Sequence, residues 1–149
     1  MSDYLVHFAG VFESVAIAMT GVNFQSTQTG WSRPETSLVA VIGVTGGDRG
    51  TVQLEFSLDT ARVLGEAMND APLEEEELLL FIGELANTVC GNAISRLNQV
   101  GTSGRHWLTP PVVFLGSDLQ VSSPSLQPCF LHYQSDVGDA RIRISFEGV

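Results

Sequence analysis

The sequence predicts an α/β fold of the α+β type, a largely antiparallel sheet with two long helices and one short helix packed on one side. Two long segments repeat apolar residues at three- and four-residue spacing, as amphipathic helices do. Several short alternating or β-branched runs are separated by turn residues, which is typical of hairpins and antiparallel pairing. A hydrophobic content of 44% without low-complexity segments favours a single domain, residues 1–149.

Three helices are predicted. The first runs from Tyr4 to Gly21, and a short second helix follows Ser57, a favourable N-cap residue, and ends near Asn69. The third begins with the acidic run Glu74–Glu77, whose charges suit the positive end of a helix dipole, and continues to about Asn98. A docking patch is the alternative interpretation of the acidic run.

The strands are expected to be short. Leu38–Thr45 and Thr51–Phe56 should form a hairpin, and alternation in the second segment predicts a half-buried strand. Gly101–Pro111 is expected to be an irregular connection. The other expected strands are Val112–Leu115, Leu119–Ser122, Cys129–Gln134 and Arg141–Phe146.

The charge composition excludes several classes of protein. The formal net charge is −10, and all seven basic residues are arginine. A Walker A loop and lysine Schiff-base chemistry both require a lysine, and nucleic acid requires clustered positive charge. We therefore expect no nucleic-acid partner. The sequence has no uninterrupted apolar run of bilayer length and no secretory pattern at its start, so we expect a cytoplasmic protein with no membrane partner and reduced cysteines.

The third helix has two different faces. Its predicted core stripe consists of Leu78, Leu79, Ile82, Leu85, Ala86, Val89, Ala93 and Leu97. The opposite face carries Glu77, Leu80, Glu84, Asn87, Gly91 and Ser95. Most of these residues could also belong to the solvent-exposed polar face that any amphipathic helix has. Gly91, however, weakens the helix on its exposed face and would let another backbone come close, which favours a partner-binding surface.

The segment Phe81–Ala93 resembles the signature helix of the CheC/CheX/FliY family of chemotaxis phosphatases. The family pattern is an acidic or Ser residue, then Glu84 four residues later, Asn87 three residues after that, and a proline further along. Here Pro110 follows Asn87 after twenty-two residues. The runs around the predicted hairpin and around this proline extend the resemblance over residues 38–116. Leu80 departs from the pattern, because the family has an acidic or Ser residue there.

The resemblance implies a single CheX-like domain that forms a homodimer and hydrolyses the aspartyl phosphate of a phosphorylated CheY-like response regulator. Asn87 would orient the attacking water, and Glu84 would pair with a regulator lysine. Glu77, Leu80, Gly91 and Pro110 are the candidate partner-binding residues. No cofactor of the chain's own is expected, since Mg²⁺ would lie on the regulator.

Leu80 leaves a second function open. It would be consistent with tolerated variation, with an altered partner surface, or with a non-catalytic domain that captures a regulator or joins a flagellar or signalling assembly. The first helix adds a related question. If it is a second copy of the motif, Glu13 is followed by Ala16 at the asparagine position, and one working site per chain is expected.

Other reactive residues indicate no site. His7, His106 and His132 show no metal-ligand spacing with the cysteines, so no metal site is predicted. Cys90 is interpreted as a packed thiol. Ser103, His106 and Asp118 could be imagined as a triad, but no nucleophile-elbow pattern surrounds a serine. Trp31 and Trp107 are expected in loops, as anchors or interface residues.

Overall fold

The computed structural model describes residues 2–100, 104–117, 119 and 127–147. Within them the helices are α1 (Ser2–Thr20), α2 (Leu58–Asn69) and α3 (Glu75–Val100). The strands are β1 (Gln25–Thr27), β2 (Thr36–Gly46), β3 (Gly50–Ser57), β4 (His106–Leu108), β5 (Val112–Ser117), β6 (Cys129–Ser135) and β7 (Gly138–Phe146). The predicted α+β class is confirmed.

The strands form one antiparallel sheet in the order β1-β6-β7-β3-β2, and β4 and β5 both pair with the free edge of β2. Between these two edge segments, Thr109 pairs with Gly43 through two hydrogen bonds of 2.8 and 2.9 Å. Pro110 and Pro111 follow Thr109, and the two prolines together lie opposite one residue of β2, Ile42, which makes a β-bulge. Since proline has no N–H to donate, a bulge on an edge strand is where the sheet tolerates it.

The helices pack on one face of the sheet, as predicted. Alternate residues of β2, β3 and β7 share one hydrophobic core with residues of all three helices. The core residues that the strands β2, β3 and β7 contribute are Leu38, Ala40, Ile42, Val44, Val52, Leu54, Phe56, Ala140, Ile142, Ile144 and Phe146. Burial of the whole shared core, helix residues included, is the dominant favourable term in folding.

The two helix boundaries predicted near capping residues agree with the structure. Ser57 is the N-cap of α2, and its hydroxyl oxygen accepts a 3.0 Å hydrogen bond from the Thr60 amide. Gly21 follows the end of α1 with a φ of 76°, and its amide donates to the Ile17 carbonyl. Phe8 and Phe12, on the predicted apolar stripe of α1, are fully buried.

The prediction that β3 is half-buried is wrong. Gln53 and Glu55, on the face away from the helices, are only 6% and 7% exposed. The Arg141 guanidinium donates a 2.7 Å hydrogen bond to the Glu55 carboxylate, and Trp31 lies 5.2 Å from the same guanidinium. Because β3 lies in the middle of the sheet, neighbouring strands and a distant loop cover its polar residues.

Two strands of the structure differ from the prediction, and one predicted strand lies mostly outside the described residues. The connection expected to be irregular contains β4, so Trp107 lies in a strand rather than in a loop. The short strand β1, which pairs with β6, was not predicted. Most of the strand expected at Leu119–Ser122 lies outside the described residues, and Leu119 itself is in no strand.

Helix α3 is long and apolar enough to cross a membrane by length and composition, with a mean hydropathy of 1.4 over its most apolar window. The sequence offers no uninterrupted apolar run of that length, but the apolar residues before and after Glu84 raise the average. A total of 56% of that window is buried inside the protein, because the apolar stripe packs on the sheet and on α1.

Candidate active site on helix α3

The site is positioned by the buried stripe of α3. All eight residues predicted for that stripe belong to the core or pack against it. Phe81, Cys90 and Ile94 are also buried there, although the stripe predicted from the sequence omitted them. Burial on this scale holds the helix in one rotational setting, so its opposite face is presented to solvent in a defined orientation.

The exposed face carries the predicted site residues. Leu80 is 75% exposed, and Glu84, Asn87 and Glu77 are exposed as well. Glu84 and Asn87 are one turn apart, a spacing that places their Cβ atoms about 5–6 Å from each other. Neither side chain has a hydrogen-bond or ion-pair partner within the described ranges. A carboxylate and an amide therefore stand side by side with their polar atoms available.

Two glycines of α3 have different surroundings. A Cβ atom added at Gly91 would meet no atom within 4 Å, so this position is open, as predicted. A Cβ atom at Gly83 would lie 3.4 Å from Val113 Cγ2 and 3.6 Å from Pro111 Cγ. The start of β5 thus lies within van der Waals range of the Cβ position of Gly83, a contact that its sequence neighbours do not indicate.

The close approach of β5 leaves a cleft beside the exposed face of α3, with a volume of about 620 Å³. Its lining residues are Glu76, Leu79, Leu80, Gly83, Glu84, Asn87, Pro111 and Val113. The cleft brings three predicted site residues together with five that were not predicted. Pro110, the proline chosen from the family pattern, is exposed in the neighbouring bulge, and Pro111 forms the cleft wall.

Side chains in the first turns of α3 also form local hydrogen bonds with the backbone. The Glu77 carboxylate accepts a 3.1 Å hydrogen bond from the Glu74 amide, as in one half of a capping box. The Thr88 hydroxyl donates a 2.9 Å hydrogen bond to the Glu84 carbonyl. Glu77 therefore helps to begin the helix, whereas the Glu84 side chain has no such structural role.

Cys90, His106 and His132 do not line the cleft. Burial raises the pKa of the Cys90 thiol far above its ordinary value, which disfavours a nucleophilic thiolate. The His106 ring contacts Asn98 Oδ1 and Asp48 Oδ2, each at 3.1 Å. Burial, and secondarily the charge of Arg141, lowers the pKa of His132.

The described residues contain no group of three potential metal ligands from His, Cys, Asp and Glu. Ser103 and Asp118 of the imagined triad lie outside the described residues.

Glu13 and Ala16, the positions of the first helix that could form a second motif, both make contacts within the fold. Ala16 is 1% exposed and belongs to the core. The Glu13 carboxylate accepts a 3.2 Å hydrogen bond from the Ser26 amide in β1. One working site per chain remains the prediction.

Comparison with solved structures shows that chemotaxis proteins share this fold. The chain superimposes on the CheX protein of Vibrio vulnificus with a TM-score of 0.84 at 24% identity, over 97% of this chain and 96% of that one. It also superimposes on the crystal structure of the CheX-CheY-BeF3-Mg²⁺ complex from Borrelia burgdorferi, with a TM-score of 0.83 at 18% identity, over 96% and 97% of the two chains.

The sequence comparisons identify the family. The family model described as chemotaxis phosphatase CheX matches residues 38–134. The chain is 40% identical over 91 residues to the CheY-P phosphatase CheX of Thermotoga maritima, an alignment that spans 58% of this chain and 57% of that relative. The chain belongs to the CheX family. The resemblance inferred from the motif is thereby confirmed.

Proposed function

We propose that this protein hydrolyses the aspartyl phosphate of a CheY-like response regulator. The observation that carries the proposal is the pair Glu84 and Asn87, adjacent, exposed and without partners in the described part of the chain, at the edge of the cleft. The relative of this chain in Thermotoga maritima is a CheY-P phosphatase. A CheX protein of the same fold, from Borrelia burgdorferi, has been crystallised in complex with CheY. The encounter is expected in the cytoplasm.

The chemistry requires little of this chain beyond positioning. Water attacks the phosphorus in line with the acyl oxygen, the P–O bond to the aspartyl carbonyl group breaks, and aspartate and inorganic phosphate are released. The Asn87 amide can accept a hydrogen bond from that water and donate another to the phosphoryl group. Its amide is neither acid nor base, so its contribution is orientation. The Mg²⁺ that neutralises phosphoryl charge is expected on the regulator.

Glu84 contributes to binding of the regulator rather than to the bond-breaking step. Its carboxylate has no arginine partner in this chain among the described residues, and the chain contains no lysine. A lysine of the regulator would form a charge-assisted hydrogen bond with it. This contact would place the regulator so that Asn87, one turn further along, reaches the phosphoryl group.

The deciding experiment follows loss of ³²P from a phosphorylated CheY regulator with and without this protein. Wild type should accelerate the loss, and Asn87→Ala should lower kcat by about a hundredfold or more while binding is retained, as expected when water is no longer oriented. Asn92→Ala is the matched control, because Asn92 is an exposed asparagine of the same helix outside the cleft. If wild type binds the regulator without acceleration, the enzymatic function is refuted.

Leu80 supports the alternative, a non-catalytic domain that binds a regulator or a signalling assembly. It is the one apolar residue among the six predicted for the polar stripe, apart from a glycine, and it is 75% exposed beside Glu84. The variant Leu80→Ser restores the family pattern. A gain of phosphatase activity in Leu80→Ser over an inactive wild type would support this alternative.

We also propose that the chain forms a homodimer, as the family resemblance implies. Sedimentation equilibrium at micromolar concentration should give twice the monomer mass of 16.0 kDa. A monomer mass over the whole concentration range would contradict the proposal.

A further inference from the structure

We infer that the cleft between α3 and β5 receives a long basic side chain of the regulator, arginine or lysine, distinct from the lysine that pairs with Glu84. This inference rests on the proposed encounter with a response regulator. It assigns to the cleft a role in choosing among regulators, since the position and presence of a second basic residue would differ from one regulator to another.

The floor and walls of the cleft are apolar. Leu79, Pro111 and Val113 are half-buried on its sides, and Gly83 lies next to Pro111 and Val113. Leu80 stands at the edge with three quarters of its surface exposed. A partner side chain with several methylene groups would cover this surface and remove it from water.

Two carboxylates line the cleft at well-separated positions of α3. Glu76 lies towards the start of α3 and Glu84 eight residues later, a separation of about 12 Å along the helix axis. One lysine ammonium cannot contact two carboxylates so far apart. Glu76 is exposed, and no described residue pairs with it. The cleft therefore offers a second anionic group beyond the one assigned to the catalytic encounter.

Only one type of side chain satisfies both features. A purely apolar side chain would cover the floor but would bring no counter-charge to Glu76, and an acidic one would be repelled by it. Arginine and lysine place an aliphatic stem along an apolar surface while the cationic group reaches a polar rim. The net charge of −10 reinforces attraction of a cationic surface at long range.

The test measures KM and kcat for CheY of Borrelia burgdorferi phosphorylated with acetyl phosphate. We expect Glu76→Arg to raise KM by about tenfold with kcat unchanged, since reversal of a charge at an interface edge acts on binding. The matched control is Glu75→Arg, an exposed glutamate in the same turn that does not line the cleft, and its KM should change by less than about twofold.

A charge-swap series then identifies the partner residue. Each arginine and lysine on the regulator face around the phosphorylation site is changed to glutamate, and one such change should restore the KM of Glu76→Arg to within about threefold of wild type. Equal effects of Glu76→Arg and Glu75→Arg, or no rescue at any position, would overturn the inference. A change in sedimentation of Glu76→Arg with unchanged KM would instead assign the cleft to a second copy of this chain, and would also overturn it.

The apolar half of the cleft is tested separately with Leu80. Leu80→Ser should raise KM about threefold, whereas Leu80→Met, which keeps an apolar stem, should not. If wild type proves inactive, the proposed function fails, and the same variants are compared by titration with beryllofluoride-activated CheY. A weaker affinity of Glu76→Arg than of Glu75→Arg in that titration would still support the inference, and equal affinities would overturn it.

Discussion

Helices α1 and α3 are built alike but serve different purposes. Both are long, both bury an apolar stripe on the same face of the sheet, and they pack against each other. Each carries a glutamate on its polar side, Glu13 in α1 and Glu84 in α3. The Glu13 carboxylate is bound to the Ser26 amide, whereas the Glu84 carboxylate has no partner in the described part of the chain.

The residue three positions after each glutamate shows the same contrast. Ala16 of α1 is buried, and its carbonyl accepts a 2.7 Å hydrogen bond from the Thr20 hydroxyl. Asn87 of α3 is exposed at the cleft. The two helices therefore differ at both positions of the motif, since α1 uses them for contacts inside the fold and α3 leaves them exposed.

The largest expected effect comes from placing the motif residue on the wrong helix. Ala16→Asn introduces an amide into the core and should lower the free energy of unfolding by about 3 kcal/mol, from overpacking and an unsatisfied polar group. It should create no second activity in an Asn87→Ala background. Urea denaturation and the ³²P assay measure these two quantities.

The control for this change is Ile17→Asn, at the next position of α1, where the side chain is 48% exposed. Its cost should be less than about 1 kcal/mol. A stable Ala16→Asn protein with restored phosphatase activity would show that α1 can form a site, and the contrast between the helices would then be wrong.

The sequence was sufficient to predict the faces of α3, because helical periodicity decides which residues share a stripe. It also predicted α2, because Ser57 and the break after Asn69 act locally. The family motif indicated Glu84 and Asn87 without any knowledge of tertiary structure. The first two predictions depend only on residues within a few turns of one another, and the motif adds a proline later in the chain.

The features that were missed depend on residues far apart in the chain. Strand β4 and the bulge after it exist because β2 offers a free edge, which no local pattern around Trp107 indicates. Glu55 is buried because Arg141, 86 residues away, covers it. The cleft depends on Gly83 meeting Pro111 and Val113, so its apolar wall could not be predicted from the helix alone.

An effect of intermediate size is expected when a glycine of each helix is replaced by alanine. Gly10 of α1 and Gly91 of α3 both lie within helices, and an added Cβ atom at either would meet nothing within 4 Å. Replacement by alanine should raise the free energy of unfolding by about 1 kcal/mol at each site, since alanine favours the helix. Thermal denaturation followed by circular dichroism provides the measurement.

Only Gly91→Ala should also raise KM for the phosphorylated regulator, because Gly91 lies on the proposed partner-binding face. Gly10→Ala provides the matched control for stability without partner contact. Equal KM values for the two variants would remove Gly91 from the partner-binding surface while leaving Glu84 and Asn87 in place.

The smallest expected effect concerns the two glutamates. Glu13→Ala removes an exposed hydrogen bond to β1 and should lower the free energy of unfolding by about 0.5 kcal/mol, with kcat and KM unchanged. Glu84→Ala should do the reverse, with unchanged stability and weaker binding of beryllofluoride-activated regulator. Equilibrium unfolding and titration of each variant measure both properties. A loss of regulator affinity in Glu13→Ala would mean that α1 contributes to the encounter, and a loss of stability in Glu84→Ala would give that carboxylate a structural role.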